Sequence, residues 1–290
     1  MTGLAVSIVM PARDAAAHIG EALASIATQA GDAAGGLEVI VADGGSRDAT
    51  REIAARFSFV RVLDGPDGGI YQGFNRALAA ARLAHVGFVN ADDILPAGAL
   101  AAVANAIAAE PNAAMFSGGA EFADAEGVIT RARAQQGPLS LEGLLFGIPA
   151  INARFFRREV LLGAGGFRPE AGIAADRELL VRLFCDDVRG VAVPAMLYRY
   201  RVHGGSTTIS GDAAGRRRVW RAESELATYL LRSDWAPDEL HRLARRTRAL
   251  ASMKHHVASR SLDGLDVATL ADLPAALLAW RRWRARLSGY

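Results

Sequence analysis

Residues 37–57 read LEVIVADGGSRDATREIAARF. LEVIVA (37–42) is a short apolar run rich in β-branched residues, as in a strand buried on both faces. Asp43-Gly44-Gly45-Ser46 breaks it with turn residues. DATREIAARF (48–57) resumes with helical spacing, and Asp48 is placed to cap or charge-stabilise the helix start. A strand, a polar turn and a helix in that order make half of a βαβ unit.

The same unit repeats on either side. Strands are expected at LAVSIVM (4–10), FVRVL (59–63) and HVGFVN (85–90). Helices are expected at 16–29, 70–82 and 97–110. This predicts an α/β fold whose mostly parallel central sheet is flanked by helices. After about residue 112 the rhythm changes. AAMFSGGAEFADAEGVITRA reads as strands around a turn at Asp124–Gly127, followed by a helical run at 174–184 and a strand at 191–202. From about 212 the pattern is helical. The expected division is 1–210, with a nucleotide-binding half (1–112) and an acceptor half (113–210), and then a basic helical C-terminal extension (211–290).

The chain has 290 residues, 22% of them charged, with a net charge of only +2, so it is not a polyelectrolyte binder, and no nucleic-acid partner is expected. The one cysteine, Cys185, lies in the apolar run LLVRLFC and reads as a small buried hydrophobe, consistent with a reducing compartment. MTGLAVSIVMPARD lacks a basic leader and ends in Pro11, Arg13 and Asp14, so it reads as a strand rather than a signal peptide. No window of about 18 residues is free of charge, which argues against a membrane-spanning helix.

Ligands of open α/β sheets bind beyond the carboxyl ends of the strands. Here those ends carry Pro11-Ala12-Arg13-Asp14, Asp43-Gly44-Gly45-Ser46-Arg47-Asp48, Asp64-Gly65-Pro66-Asp67-Gly68-Gly69 and Asn90-Ala91-Asp92-Asp93. Asp- and Gly-rich turns are common singly; four in succession at predicted sheet ends are not. Adjacent carboxylates repel unless a cation or donor groups offset them, and hard oxygen ligands select Mg²⁺ or Mn²⁺. Asp92-Asp93 therefore reads as a metal and nucleotide site, or as a helix cap before LPAGALAAV. No GxGxxG follows the first strand, and the chain has no GxxxxGK[ST], CxxC, HExxH or GxSxG.

SIVMPARD, VIVADGGSRDAT, DGGIYQGFNRAL, FVNADDIL, GAGGFRPEAGIAADREL and RYRVHGGSTT together resemble the family 2 glycosyltransferases, over about residues 4–208. The resemblance implies a Rossmann-like GT-A fold and an inverting transfer from a nucleotide diphosphate sugar, a UDP-sugar, to a glycan or lipid-linked acceptor in polysaccharide synthesis. It implies that Asp43 binds the base, Asp92 the ribose, and Asp93 a Mn²⁺ or Mg²⁺ ion on the diphosphate. Asp176 is the implied general base; the alternative for it is a plain N-cap. His203 completes the metal or diphosphate site, or is only packed or solvated. Pro11, Asp14, Gly45, Asp67 and Asn75 complete the donor-binding set. Three positions depart from the family pattern: Asp14 where Asn is usual, Ala12-Arg13 in place of a small polar and aromatic pair, and Arg177 after the base.

The tail carries Arg216, Arg217, Arg218, Arg242, Arg245, Arg246, Arg248, Lys254, Arg281, Arg282, Arg284 and Arg286, interleaved with Trp220, Trp280 and Trp283. Two readings are open. The helices pack on the enzyme through the tryptophans with Leu277, Leu278 and Leu287, or they lie on an anionic membrane surface. The expected location is cytoplasmic, at the inner face of the plasma membrane in the second case. Two other functions fit the same residues, a sugar nucleotidyltransferase and a non-catalytic nucleotide-sugar-binding protein. PARDAAAH lacks the glycine-rich basic loop of the former.

Overall fold

Val6, Ile8, Met10, Val39 and Val41 are fully buried in one core with residues of three helices, and Val9 and Ile40 on the opposite face of the sheet are fully buried too, which is why the first two strands read as near-continuous apolar runs. The structure, a computed structural model, describes residues 3–66, 68–133, 139–146, 151–202, 213–259 and 267–287. Asp67 and His203, both expected at the site, lie outside the described residues.

The elements follow the expected alternation: β1 (Ala5–Ala12), α1 (Ile19–Ala27), β2 (Gly36–Asp43), α2 (Thr50–Ala54), β3 (Val60–Asp64), α3 (Ile70–Ala80), β4 (His85–Phe88) and α4 (Ala99–Ala109). Then come β5 (Met115–Ala123), β6 (Ile129–Arg133), α5 (Leu141–Phe146), β7 (Arg154–Arg157), α6 (Arg158–Gly163), α7 (Ala175–Cys185) and β8 (Gly190–Arg201). Three helices follow, α8 (Ala213–Leu231), α9 (Asp238–Ser259) and α10 (Val267–Leu287).

The strands form one sheet in the order β3-β2-β1-β4-β7-β5-β6, with β8 beside β5. β3, β2, β1 and β4 are parallel, as are β5 and β8, while β7 and β6 run antiparallel to their neighbours. This is the expected mostly parallel α/β sheet. The chain adds β2 and β3 on one side of β1 and β4 on the other, so strand order reverses between β1 and β4, where such sheets bind ligands. Register aligns Ala12 with Asp43 and Asp43 with Asp64, setting three strand ends in one row.

By its contacts the chain divides into two units: residues 1–138, 150–167 and 187–203, and residues 139–149, 168–186 and 204–290. The first holds the sheet. The second joins α5 and α7 to the C-terminal helices. In this second unit Ala249, Leu250 and Ala276 form a small core, with Phe146, Met253, Leu273, Leu277 and Trp280 packed against it. Trp280 and Leu277 thus pack within this second unit, while Leu278 is exposed. No described helix is long and apolar enough to cross a membrane.

Two local expectations change. Helix α2 ends at Ala54, and its N-cap is Ala49. Asp48 still accepts the Thr50 N–H, and it also takes the N–H of Ala16. Cys185 is half-buried rather than buried, because it closes α7 beside the exposed Asp186 and Asp187.

Candidate active site

The loops after β1 and β2 are stitched together through short polar side chains. The Asp43 carboxylate is fully buried and accepts the N–H groups of Gly45 (3.1 Å) and Ser46 (3.0 Å) and the Ser46 hydroxyl (2.5 Å). Ser46 Oγ in turn accepts the Asp14 N–H at 2.9 Å, and an Asp14 oxygen accepts the Arg47 N–H at 2.8 Å. Asp14 adopts φ 47°, a left-handed conformation that Asn and Asp tolerate best among residues with side chains, which explains Asp in the place of the family's Asn. Gly45, at φ 81°, lets the loop turn tightly over Asp43. Asp43, expected to bind the base, thus first folds its own loop.

Helix α3 closes the same end of the sheet. A Cβ on Gly73 would come within 2.8 Å of the Pro11 Cβ, so the helix lies directly on the end of β1. Arg76, which sequence reasoning missed, donates to the Asp43 carbonyl at 2.7 Å. Asn75 was expected in the donor pocket. Its side-chain amide binds both the carbonyl (2.8 Å) and the N–H (2.9 Å) of Phe167. That pair fixes the Gly165-Gly166-Phe167 turn, where both glycines have positive φ and Phe167 packs on Tyr71, Phe74 and Phe88.

The turn after β4 sets Asp92 half-exposed and Asp93 buried at 3% exposure. Neither caps α4, whose N-cap is Gly98. Asp93 Oδ2 accepts from the Tyr198 hydroxyl (2.6 Å) and the Asn90 amide (2.9 Å), and Oδ1 accepts the Arg201 N–H (2.8 Å). Burial, then the neighbouring Asp92 charge, pushes the Asp93 carboxyl up to about 7, against the pull of these bonds. The Arg201 guanidinium bridges the Asp92 carbonyl (3.1 Å) and Glu21 on α1 (2.5 Å). β8 is therefore clamped to the turn, through Arg201 of the RYRVHGGSTT segment and through Tyr198, which lies just outside it.

Asp176 lies in the first turn of α7, half-buried, two positions inside the N-cap Ala174. Its Oδ1 accepts the Arg177 N–H at 2.7 Å. Just upstream, Gly172 at φ 64° and ψ −144° kinks the chain into the helix.

The family described as Glycosyl transferase family 2 matches residues 7–168. The O-antigen biosynthesis protein RfbC of Myxococcus xanthus is 33% identical over 188 residues, 61% of this chain and 14% of that protein. The chain thus spans a small part of that relative. Among solved structures, the mannosyltransferase PcManGT of Pyrobaculum calidifontis in complex with GDP-Man and Mn²⁺ superposes with a TM-score of 0.62 at 20% identity, covering 97% of this chain and 84% of that one. S. aureus TarS 1–349 in complex with UDP-GlcNAc gives 0.59 at 17% identity, covering 94% and 81%. At these identities the likeness is one of fold, the GT-A type.

Proposed function

The chain belongs to glycosyl transferase family 2 and is a glycosyltransferase, and from that premise we propose that it inverts, moving sugar from a UDP-sugar to a glycan or lipid-linked acceptor of a cell-surface polysaccharide. The observation that carries the donor half is the Asp92–Asp93 turn beside the crevice where strand order reverses. RfbC's part in O-antigen biosynthesis supports the polysaccharide, and the nucleotide sugars bound to TarS and PcManGT support the donor class.

Two adjacent carboxylates, one of them buried and raised by the other, gain from a cation, so the residues fit Mn²⁺ or Mg²⁺. Among the described residues no group of three or more His, Cys, Asp or Glu side chains could hold a metal. Diphosphate and water would then supply most of the shell, as is usual for Mg²⁺. When bound, the cation offsets charge on the leaving diphosphate. We assign it to Asp92 rather than to the expected Asp93, whose oxygens already accept three hydrogen bonds. His203 completes the metal or diphosphate site in this reading. The base and ribose fall to Pro11, Asp14, Asp43, Gly45 and Asp67.

Inversion is one in-line displacement at the anomeric carbon. It needs a base for the acceptor hydroxyl and no covalent nucleophile. Asp176 is that base: it takes the hydroxyl proton as the acceptor oxygen bonds to the anomeric carbon and the diphosphate leaves. The test is a panel of nucleotide sugars and acceptors with Mn²⁺, reading the product's anomeric configuration by NMR. Inversion by the wild type, with Asp176→Asn slower by about 10²–10⁴-fold, is expected. Retention, or full rate in Asp176→Asn, overturns the mechanism. Pyrophosphate released from a nucleoside triphosphate would mark a nucleotidyltransferase, and tight binding without turnover a binding protein.

A further inference from the structure

The residues one and two positions after Asp176 are both buried charges, and each is tied toward helix α8. Arg177 is 8% exposed. Its Nη1 lies 3.3 Å from the Leu145 carbonyl of α5 and 3.5 Å from Glu223 Oε1 of α8. Glu178 is fully buried, held by two 2.8 Å bonds from Arg182 and by Arg168 at 3.4 Å. Arg168 also donates to the Tyr229 hydroxyl of α8 at 3.2 Å and stacks its guanidinium over Trp235. Arg177 in the first turn of α7 and Arg168, seven residues before that helix begins, thus both reach α8.

Buried ion pairs add little net stability, since desolvation offsets their attraction, but breaking one leaves an uncompensated charge. What such a network contributes is a fixed geometry. With Arg177 and Glu178 both engaged, the first turn of α7 can neither rotate nor slide without stranding a buried charge. A base must sit within hydrogen-bond reach of its proton, and a misplacement of about 1 Å can cost 10²-fold in rate.

We propose that Glu223 and Tyr229 of α8, acting through Arg177 and Arg168, are positioning residues for Asp176, so that the C-terminal helices set the geometry of the acceptor base. The inference rests on the reading of Asp176 as that base.

The test uses the full chain, with initial-rate kinetics on the donor and acceptor that the wild type turns over and calorimetric affinity for UDP or GDP. Glu223→Gln and Tyr229→Phe are expected to lower kcat by about tenfold or more, with donor KM and nucleotide affinity unchanged. Arg177→Lys should recover part of what Arg177→Met loses. Arg177→Met combined with Glu223→Gln should be no worse than Arg177→Met alone, since both cut one link. Glu223, with a side chain 14% exposed, can be changed without opening the core. Wild-type kcat in Glu223→Gln and Arg177→Met, beside an inactive Asp176→Asn, overturns the positioning role and leaves the base standing. So does a parallel fall in kcat and nucleotide affinity, the mark of general loosening. Full kcat in Asp176→Asn removes the base and this inference together.

Discussion

The Tyr198 hydroxyl lies 2.6 Å from Oδ2 of Asp93, joining residues 105 positions apart. The same hydroxyl accepts the Asn90 N–H at 3.0 Å. One buried phenol therefore holds both sides of the Asp92–Asp93 turn. Tyr198→Phe keeps the ring and removes the oxygen, leaving the Asn90 N–H and an Asp93 lone pair without a partner. That costs about 1–3 kcal/mol. Urea unfolding is expected to show an earlier midpoint with an unchanged slope; an unmoved midpoint would contradict the role given to the phenol.

Asp93 also predicts a pH dependence. Burial and Asp92 raise its carboxyl from 3.8 to about 7 in the folded chain. Below the unfolded value both states carry the proton, and stability is at its fullest. As pH rises toward 7 the unfolded carboxyl ionises while the folded one keeps its proton, so stability falls across this window. Thermal melts without added divalent cation should therefore decline across this window. Asp93→Asn cannot titrate there. It should start lower, because its amide faces two donors, yet show a flatter profile. An equally steep decline in Asp93→Asn would assign the effect elsewhere.

Asn75→Ala removes two hydrogen bonds to the Phe167 backbone. Losing them should destabilise the fold by about 2–3 kcal/mol, and Phe167 should pack less tightly on Phe74 and Phe88. Calorimetric affinity for the donor nucleotide should change little, because the amide is committed to the Gly165-Gly166-Phe167 turn. A large loss of affinity at unchanged stability would return Asn75 to the donor pocket.

These residues mark where sequence reading runs out. The strands declared themselves because a sheet buried on both faces writes continuous apolar runs, and their acidic ends followed. What a carboxylate does at a strand end depends on partners far along the chain. The sequence offers Asp93 as a metal ligand but says nothing of Tyr198 and Arg201, which bind its oxygens. The sequence offers Asn75 for the donor pocket but says nothing of its bonds to Phe167, 92 positions on. The C-terminal helices were plain from their periodicity, yet nothing in periodicity groups them with α5 and α7. Arg177 looked like a departure from a pattern, and its partner Glu223 lies 46 positions away.

Asp92 and Asp93 are adjacent and chemically identical, so they separate the two roles cleanly. Asp92 is half-exposed, and its neighbour is 3% exposed. Asp92→Ala should raise the Mn²⁺ concentration needed for half-maximal transfer by about tenfold or more, the loss expected for one charge-assisted ligand worth 1.5–3 kcal/mol. Its melting temperature without metal should rise or hold, since removing the Asp92 charge relieves Asp93 of a repelling neighbour. Asp93→Ala should do the reverse, with unfolding at lower denaturant because Tyr198, Asn90 and the Arg201 N–H lose their acceptor. Mn²⁺ titrations of activity, paired with melts of the metal-free chain, read both effects on the same samples. If Asp93→Ala alone shifts the Mn²⁺ requirement while Asp92→Ala leaves it unchanged, the cation belongs on Asp93 after all, and the buried hydrogen bonds must open to admit it.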